Sequence, residues 1–132
     1  MHEKRIEIRW RDMDAYRHVN NAVYATYLEE CRDEWVESVL GGSGDMWDYV
    51  LARVAIDFRH ELTQDDDAVI VSCQLDRIGT SSLTLRETVR TLAGVLSVEA
   101  EAVLVARDRE SGRSRPLNPD ERAAFERARV DA

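Results

Sequence analysis

The spacing of apolar residues changes once along this chain, from a helical period to a strand period. Between Tyr24 and Val39 apolar side chains recur at every third or fourth position, the spacing of an amphipathic helix of about five turns. From Val50 onwards they alternate with polar residues, which is the period of a β-strand. One apolar helix stripe and one apolar sheet face must then cover each other, which leaves few possible arrangements.

The predicted helix has sequence signals at both ends. Asn20 or Asn21 is a suitable N-cap, because a short side-chain oxygen can accept a backbone N–H of the first turn. Gly41 and Gly42 end the helix, since glycine is the usual residue just beyond a helix C-terminus. A short first strand precedes the helix, with the alternating apolar residues Ile6, Ile8 and Trp10.

Four strands are predicted after the helix, joined by short connections that favour antiparallel pairing. We therefore expect an α+β fold, an antiparallel β-sheet wrapped around one long central α-helix. The strands are long enough to leave edges that a second copy could pair with, and a short charged helix follows Pro116 and Pro119. The apolar strand positions are Val50, Ala52, Val54, Ile56 and Phe58, then Val69, Val71, Cys73 and Leu75, then Leu83, Leu85 and Val89, then Leu96, Val98, Ala100, Ala102 and Leu104.

Composition excludes several classes of function. The chain has 132 residues, 44% of them hydrophobic and 33% charged, which predicts one globular domain over residues 1–132. Its net charge of −8 argues against nucleic-acid binding, because phosphate contacts require a basic surface. No apolar run reaches membrane-spanning length, so we expect a cytoplasmic protein. Cys31 and Cys73 lack metal-ligand spacing and are expected to be buried thiols.

The segment from Arg11 to Asn21 contains the densest cluster of functional side chains and lies directly before the helix. A helix start presents unpaired N–H groups and the positive end of the helix dipole, which can hold a developing oxyanion. Asp14, a few residues upstream, could attack a carbonyl or activate a water molecule. His18 could orient or assist it, whereas Asp12 is expected to be structural and to pair with Arg11 or Arg17. This combination is the one that acyl transfer requires.

Three segments then carry a family pattern. Residues 12–24 read Asp-Met-Asp-Ala-Tyr-Arg-His-Val-Asn-Asn-Ala-Val-Tyr, residues 77–83 read Arg-Ile-Gly-Thr-Ser-Ser-Leu, and residues 113–117 read Arg-Ser-Arg-Pro-Leu. In this order they resemble the D-x-D-x-x-G-H-V-N-N-x-x-Y motif, the R-I-G-x-S-S segment and the tail of the 4-hydroxybenzoyl-CoA thioesterase family. Arg17 departs from the pattern, because it stands where the motif has a glycine that permits positive φ.

The resemblance implies a hotdog fold, a homodimer or homotetramer with active sites between subunits, and hydrolysis of acyl-CoA thioesters without a metal or cofactor. Asp14 would be the nucleophile or general base, and the backbone N–H near Asn21 would polarise the thioester carbonyl, with His18 in a supporting role. Candidate substrate contacts are the helix-start residues Asn20 and Tyr24, the turn residues Ser81 and Ser82, and the arginines Arg77, Arg113 and Arg115.

Several alternatives stay open from the sequence. A catalytically silent hotdog module would bind acyl-CoA without hydrolysing it, and a third possibility, acyl-CoA dehydration, fits the D-x-D context poorly. Glu29 and Glu30 lie off the apolar helix stripe, so a solvated or interface role is expected for them. The loop from Gly41 to Tyr49 contains large apolar residues outside either period, and we expect it to border the acyl pocket.

Overall fold

The computed structural model describes residues 1–42 and 44–130; Ser43, in the loop predicted to border the acyl pocket, lies outside the described residues. Three short 3-10 helices lie between the main elements. The strands and helices are β1 His2–Glu7, α1 Asn21–Leu40, β2 Tyr49–Phe58, β3 Ala68–Ile78, β4 Ser82–Thr91, β5 Leu96–Ala106 and α2 Pro119–Val130.

Both ends of α1 are as predicted. Asn20 is the N-cap, and its side chain accepts the N–H of Ala22 at 2.9 Å. Gly41 adopts a φ of 54° just beyond the last turn, and its N–H reaches the carbonyl of Glu37. The first strand is shorter than expected. Trp10 is exposed and opens a 3-10 helix instead of continuing the alternation.

The five strands form one antiparallel sheet in the order β1-β3-β4-β5-β2. Helix α1 packs against β1, β3 and β4, and the core lies between the helix and the inner face of these strands. The predicted α+β architecture is therefore confirmed. The first and second strands in the chain lie at opposite edges of the sheet, so β2 has β5 as its one neighbour in the described chain.

A β-bulge changes which side chains of β2 face the helix. The pairing with β5 shifts between Leu51 and Arg53, and one extra residue reverses the alternation on either side of it. The predicted apolar face is therefore wrong before the bulge, where Tyr49 and Leu51 share a face with Val54 in place of Val50 and Ala52.

That inner face of β2 is largely uncovered. Leu51, Val54 and Phe58 remain 44%, 37% and 49% exposed, although they lie on the helix side of the sheet, because α1 packs over the other strands. An apolar strand face at a free sheet edge is unusual for a surface that faces only water.

The two cysteines are buried free thiols, as the sequence predicts. Burial raises the pKa of Cys31 to about 12 and also raises the pKa of Cys73. Neither thiol is therefore a reactive thiolate near neutral pH.

Two buried glutamates pair with arginines. Between α1 and β4, Arg32 and Glu87 form two parallel hydrogen bonds of 2.8 Å, and both side chains are buried. At the other end of the sheet, Glu121 of α2 accepts two hydrogen bonds from Arg115 and one from the hydroxyl of Tyr49. Burial opposes ionisation of Glu121, but these donors together hold its pKa at about 2.

Candidate active site

The first aspartate of the motif, Asp12, is a buried structural residue. Its carboxylate accepts the hydroxyl of Tyr27 at 2.7 Å and the backbone N–H of Arg9 at 2.9 Å, and the Arg9 guanidinium lies 3.2 Å away. Burial works against the charged form, but these donors lower the pKa of Asp12 below its usual value. The structural role is as predicted, whereas the suggested partners Arg11 and Arg17 are wrong.

Asp14 lies in a tight turn closed by an antiparallel bridge between Met13 and Val19. Its N–H donates to the carbonyl of His18 at 2.9 Å, and its carbonyl accepts from Arg17 at 3.1 Å. Oδ1 accepts the N–H of Tyr16 at 2.8 Å, while Oδ2 accepts no hydrogen bond from the residues described. The side chain is half-buried at the wall of an open cavity of about 670 Å³. One carboxylate oxygen is thus fixed, and the other is available to a substrate or water.

Arg17 adopts the left-handed conformation that the glycine of the family motif would permit. Its φ is 65°, so the turn keeps the backbone geometry expected of glycine with an arginine in place. A non-glycine residue in this region costs about 1–2 kcal/mol. The side chain is exposed and borders the same cavity as Asp14.

The start of α1 follows this turn directly in the chain. The side chain of Asn20 caps α1, and the backbone N–H of Asn20 donates to the carbonyl of Asp12. No acceptor among the described residues takes the N–H of Asn21, the first residue of the helix. The positive end of the helix dipole adds to the attraction of this group for an oxyanion.

A second, smaller cavity of about 250 Å³ adjoins the helix start and includes His18, Asn21 and Tyr24 in its lining. The Nε2 of His18 lies 2.8 Å from the carboxylate of Glu61. The ring of Tyr24 is buried edge-on against Phe58, at 5.3 Å between centroids. Asp14, His18, Asn20, Asn21 and Tyr24 therefore lie around one end of α1. Glu61 was not identified from the sequence, because no motif relates the segment between β2 and β3 to His18.

The other predicted substrate contacts lie at the opposite end of the sheet. Ser81 and Ser82 belong to the β3–β4 turn, where Gly79 leaves no room for a Cβ, since one would lie 2.5 Å from the hydroxyl of Ser82. Arg77 precedes this turn, and Ser81 accepts the N–H of Ala106 at the end of β5. Strand β3 has 11 residues, so about 35 Å separates its two ends. Within one subunit, Arg77, Ser81 and Ser82 therefore do not reach Asp14.

The three arginines proposed for phosphate binding differ in their surroundings. Arg115 is engaged by Glu121 in a two-pronged ion pair, so its guanidinium already has a partner. Arg77 and Arg113 are exposed, and no ion pair joins either to another residue in the described part of the chain.

Two further findings bear on the class of site. In the described ranges 1–42 and 44–130, no three His, Cys, Asp or Glu side chains are grouped as metal ligands. Over the same residues, no helix combines the length and the apolar composition that crossing a bilayer requires.

Known proteins resemble this chain over nearly its whole length. A thioesterase from Thermus thermophilus, solved with coenzyme A and zinc, is 28% identical with a TM-score of 0.87, and the match covers 98% of this chain and 94% of that one. A provisionally named thioesterase from Pseudomonas aeruginosa is 32% identical, with a TM-score of 0.80 and coverages of 94% and 97%. A provisionally named acyl-CoA thioesterase from Xanthomonas campestris is 30% identical, with a TM-score of 0.72 and coverages of 87% and 97%. No curated protein matches.

The architecture is that of the hotdog-fold thioesterases, which confirms the fold that the motifs imply. The model of the thioesterase-like superfamily matches residues 8–125, and the chain belongs to that superfamily.

Proposed function

We propose that this protein hydrolyses acyl-CoA thioesters, with Asp14 as nucleophile or general base. The observation that carries the proposal is the arrangement around the start of α1. A carboxylate with one unengaged oxygen lies within the turn closed by the Met13–Val19 bridge, and a helix-start N–H without an acceptor follows directly after that turn. These are the two components that acyl transfer needs. The coenzyme A bound in the Thermus thermophilus thioesterase supports the same substrate class.

In the proposed reaction, Asp14 either attacks the thioester carbonyl or takes a proton from the attacking water. The carbonyl oxygen becomes negative in the tetrahedral intermediate and is stabilised by the N–H of Asn21. The carbon–sulfur bond then breaks and the thiolate leaves. In the first route the acyl group remains on Asp14 as an anhydride, which water hydrolyses to the free acid and the carboxylate. In both routes water supplies the oxygen of the free acid and the proton of the thiol. Incubation with a panel of acyl-CoAs and a thiol reagent tests this. Thiol release supports hydrolysis, whereas binding without release indicates the silent acyl-CoA-binding module.

The active site is completed by a second subunit in this proposal. Asp14 and Arg77 lie at opposite ends of one sheet. These ends are too far apart for one subunit to contact both the thioester group and the adjoining arm of the same substrate molecule. A copy paired antiparallel along the free edge of β2 would put its own Arg77 end beside this subunit's Asp14 end. The exposed apolar residues Leu51 and Val54 of β2 support that edge as the interface.

Replacing Val54 by Lys should therefore convert the homo-oligomer into a monomer, because a charge would be buried in the apolar interface. Thiol release should fall together with assembly. Sedimentation at micromolar concentration and the thiol assay measure the two effects. Leu92→Lys is the matched control, since Leu92 is similarly exposed but lies in the β4–β5 connection. A wild-type protein that sediments as a fully active monomer would contradict the proposed assembly.

The arginines at the far end of the sheet should act on KM. Replacing Arg77 and Arg113 together by Ala should raise KM for acyl-CoA about tenfold or more and leave kcat nearly unchanged, as expected for loss of phosphate binding. The KM for thioesters of pantetheine, which has no phosphate, should not change. Arg115→Ala should instead reduce thermal stability, because it breaks the pair with buried Glu121. Equal KM values for CoA and pantetheine thioesters in the wild type would contradict phosphate binding by Arg77 and Arg113.

A further inference from the structure

Two arginines border the cavity beside Asp14. Its lining includes Arg11 and Arg17 together with Asp14 and Asp65. Neither Arg11 nor Arg17 forms an ion pair with a described residue, whereas the neighbouring Arg9 pairs with Asp12. On a chain of net charge −8, these two arginines have no carboxylate partner and are available to bind an anion at this cavity.

Backbone geometry gives no reason for an arginine at position 17. The turn after Asp14 requires a positive φ there, which glycine adopts most easily. Asp67, at a φ of 62°, is the other described non-glycine residue with a positive φ. The arginine side chain must therefore be explained by its surroundings, and these are the cavity that Asp14 shares.

The position of the cavity identifies the part of the substrate that reaches it. If Asp14 acts on the thioester carbonyl, groups beside Asp14 contact atoms close to that carbonyl. In acyl-CoA the pantetheine arm separates the thioester from the phosphates, so an anion near Asp14 belongs to the acyl side. The carboxylates of Asp14 and Asp65 also border the cavity, and without the arginines they would repel a negatively charged acyl group.

We infer that Arg17, assisted by Arg11, binds a carboxylate on the acyl group, so that the enzyme favours dicarboxylic acyl thioesters over neutral ones of equal length. This inference rests on the proposed thioesterase function and adds the class of acyl group. Arg17 is then a residue that determines specificity, held over the cavity by the same turn that positions Asp14.

The test compares adipoyl and hexanoyl thioesters, which have six carbons each and differ by a terminal carboxylate. In Arg17→Gly the ratio of kcat/KM for adipoyl-CoA to that for hexanoyl-CoA should fall about tenfold, the size expected for losing one charge-assisted hydrogen bond. Arg17→Lys keeps the charge and should retain part of the ratio. Asp67→Gly makes the same glycine substitution at a positive φ outside the cavity lining, and its ratio should equal that of the wild type.

Pantetheine thioesters of the same two acids locate the anion. A similar fall in the ratio with these phosphate-free substrates supports the acyl carboxylate. If Arg17→Gly instead loses the preference for CoA thioesters over pantetheine thioesters, and the adipoyl-to-hexanoyl ratio stays intact, Arg17 binds phosphate. That result overturns the inference. An unchanged ratio in Arg17→Gly also overturns it. The substitution restores the residue best suited to the turn, so a folded variant is expected.

Calorimetric binding separates this inference from the proposed function. If the wild type releases no thiol from any of the four thioesters, hydrolysis is refuted, and the affinities for adipoyl-CoA and hexanoyl-CoA still decide the role of Arg17. A preference for adipoyl-CoA that is lost in Arg17→Gly then supports the carboxylate site. Equal affinities in the wild type and the variant refute it.

Discussion

Replacing Asp14 by Asn should lower kcat at least about a hundredfold, the low end for losing general-base catalysis. The amide keeps the oxygen that accepts the N–H of Tyr16, so the turn and the cavity should persist. What is lost is the negative charge that attacks the carbonyl or activates water. Binding of acyl-CoA should survive or tighten, because one repulsive charge beside the anionic substrate is removed. Thiol release and calorimetry measure these two quantities.

Three comparisons make this result specific to Asp14. His18→Ala should retain more activity, because His18 pairs with exposed Glu61 and supports the loop instead of attacking substrate. Glu29→Ala should also retain more, since Glu29 is exposed on α1. Asp12→Asn, the same substitution two residues away, should reduce the melting temperature, because Asp12 is buried among its donors. Near wild-type hydrolysis by Asp14→Asn would show the proposed mechanism to be wrong.

The helix and most of the sheet could be predicted from local signals. Asn20 and Gly41 define the ends of α1 through interactions within a few residues, and such interactions are encoded locally. Alternation likewise predicts β3, β4 and β5, which are covered on the inner face by α1 and by each other. In these segments the local pattern and the tertiary packing favour the same arrangement.

The errors occur where a distant contact decides the outcome. The bulge after Leu51 adjusts the pairing of β2 with β5 and cannot be recognised from alternation alone. Asp12 takes Tyr27 from α1 as a partner in preference to the nearby Arg11. Glu61 pairs with His18 from 43 positions further along the sequence. Each of these contacts depends on tertiary packing.

Motif order also gives no information on which subunit supplies each part of the site. The helix-start motif and the Arg77 segment both match the family pattern, yet they lie at opposite ends of one sheet. Long antiparallel strands explain this separation, because β3 begins beside the Asp14 end and runs the full length of the sheet before Arg77. In the proposed site two copies bind one substrate, and spacing along the chain cannot predict such an arrangement.

The second large effect is expected at the buried pair between α1 and β4. Glu87→Gln should destabilise the protein by about 3–5 kcal/mol, because Arg32 would keep a buried charge without its partner. For a chain of this size that corresponds to a fall in melting temperature of roughly 10–20 °C. Glu34→Gln is the matched control, since its pairs with His2 and Lys4 are exposed and should contribute under about 1 kcal/mol each.

Removing both charges together should restore most of this loss. Arg32→Met with Glu87→Met fills a similar volume with apolar groups, and such replacements are often neutral in buried sites.

In Arg32→Met alone, burial would raise the pKa of Glu87 further, since the guanidinium that opposes this rise is gone. A raised carboxyl pKa in the folded state favours folding at low pH, so the deficit of Arg32→Met relative to the wild type should shrink as the pH falls from 7 towards 4. Thermal unfolding across this range measures it. A pH-independent deficit, or a Glu87→Gln protein as stable as the wild type, would show that the pair does not hold α1 on the sheet in this way.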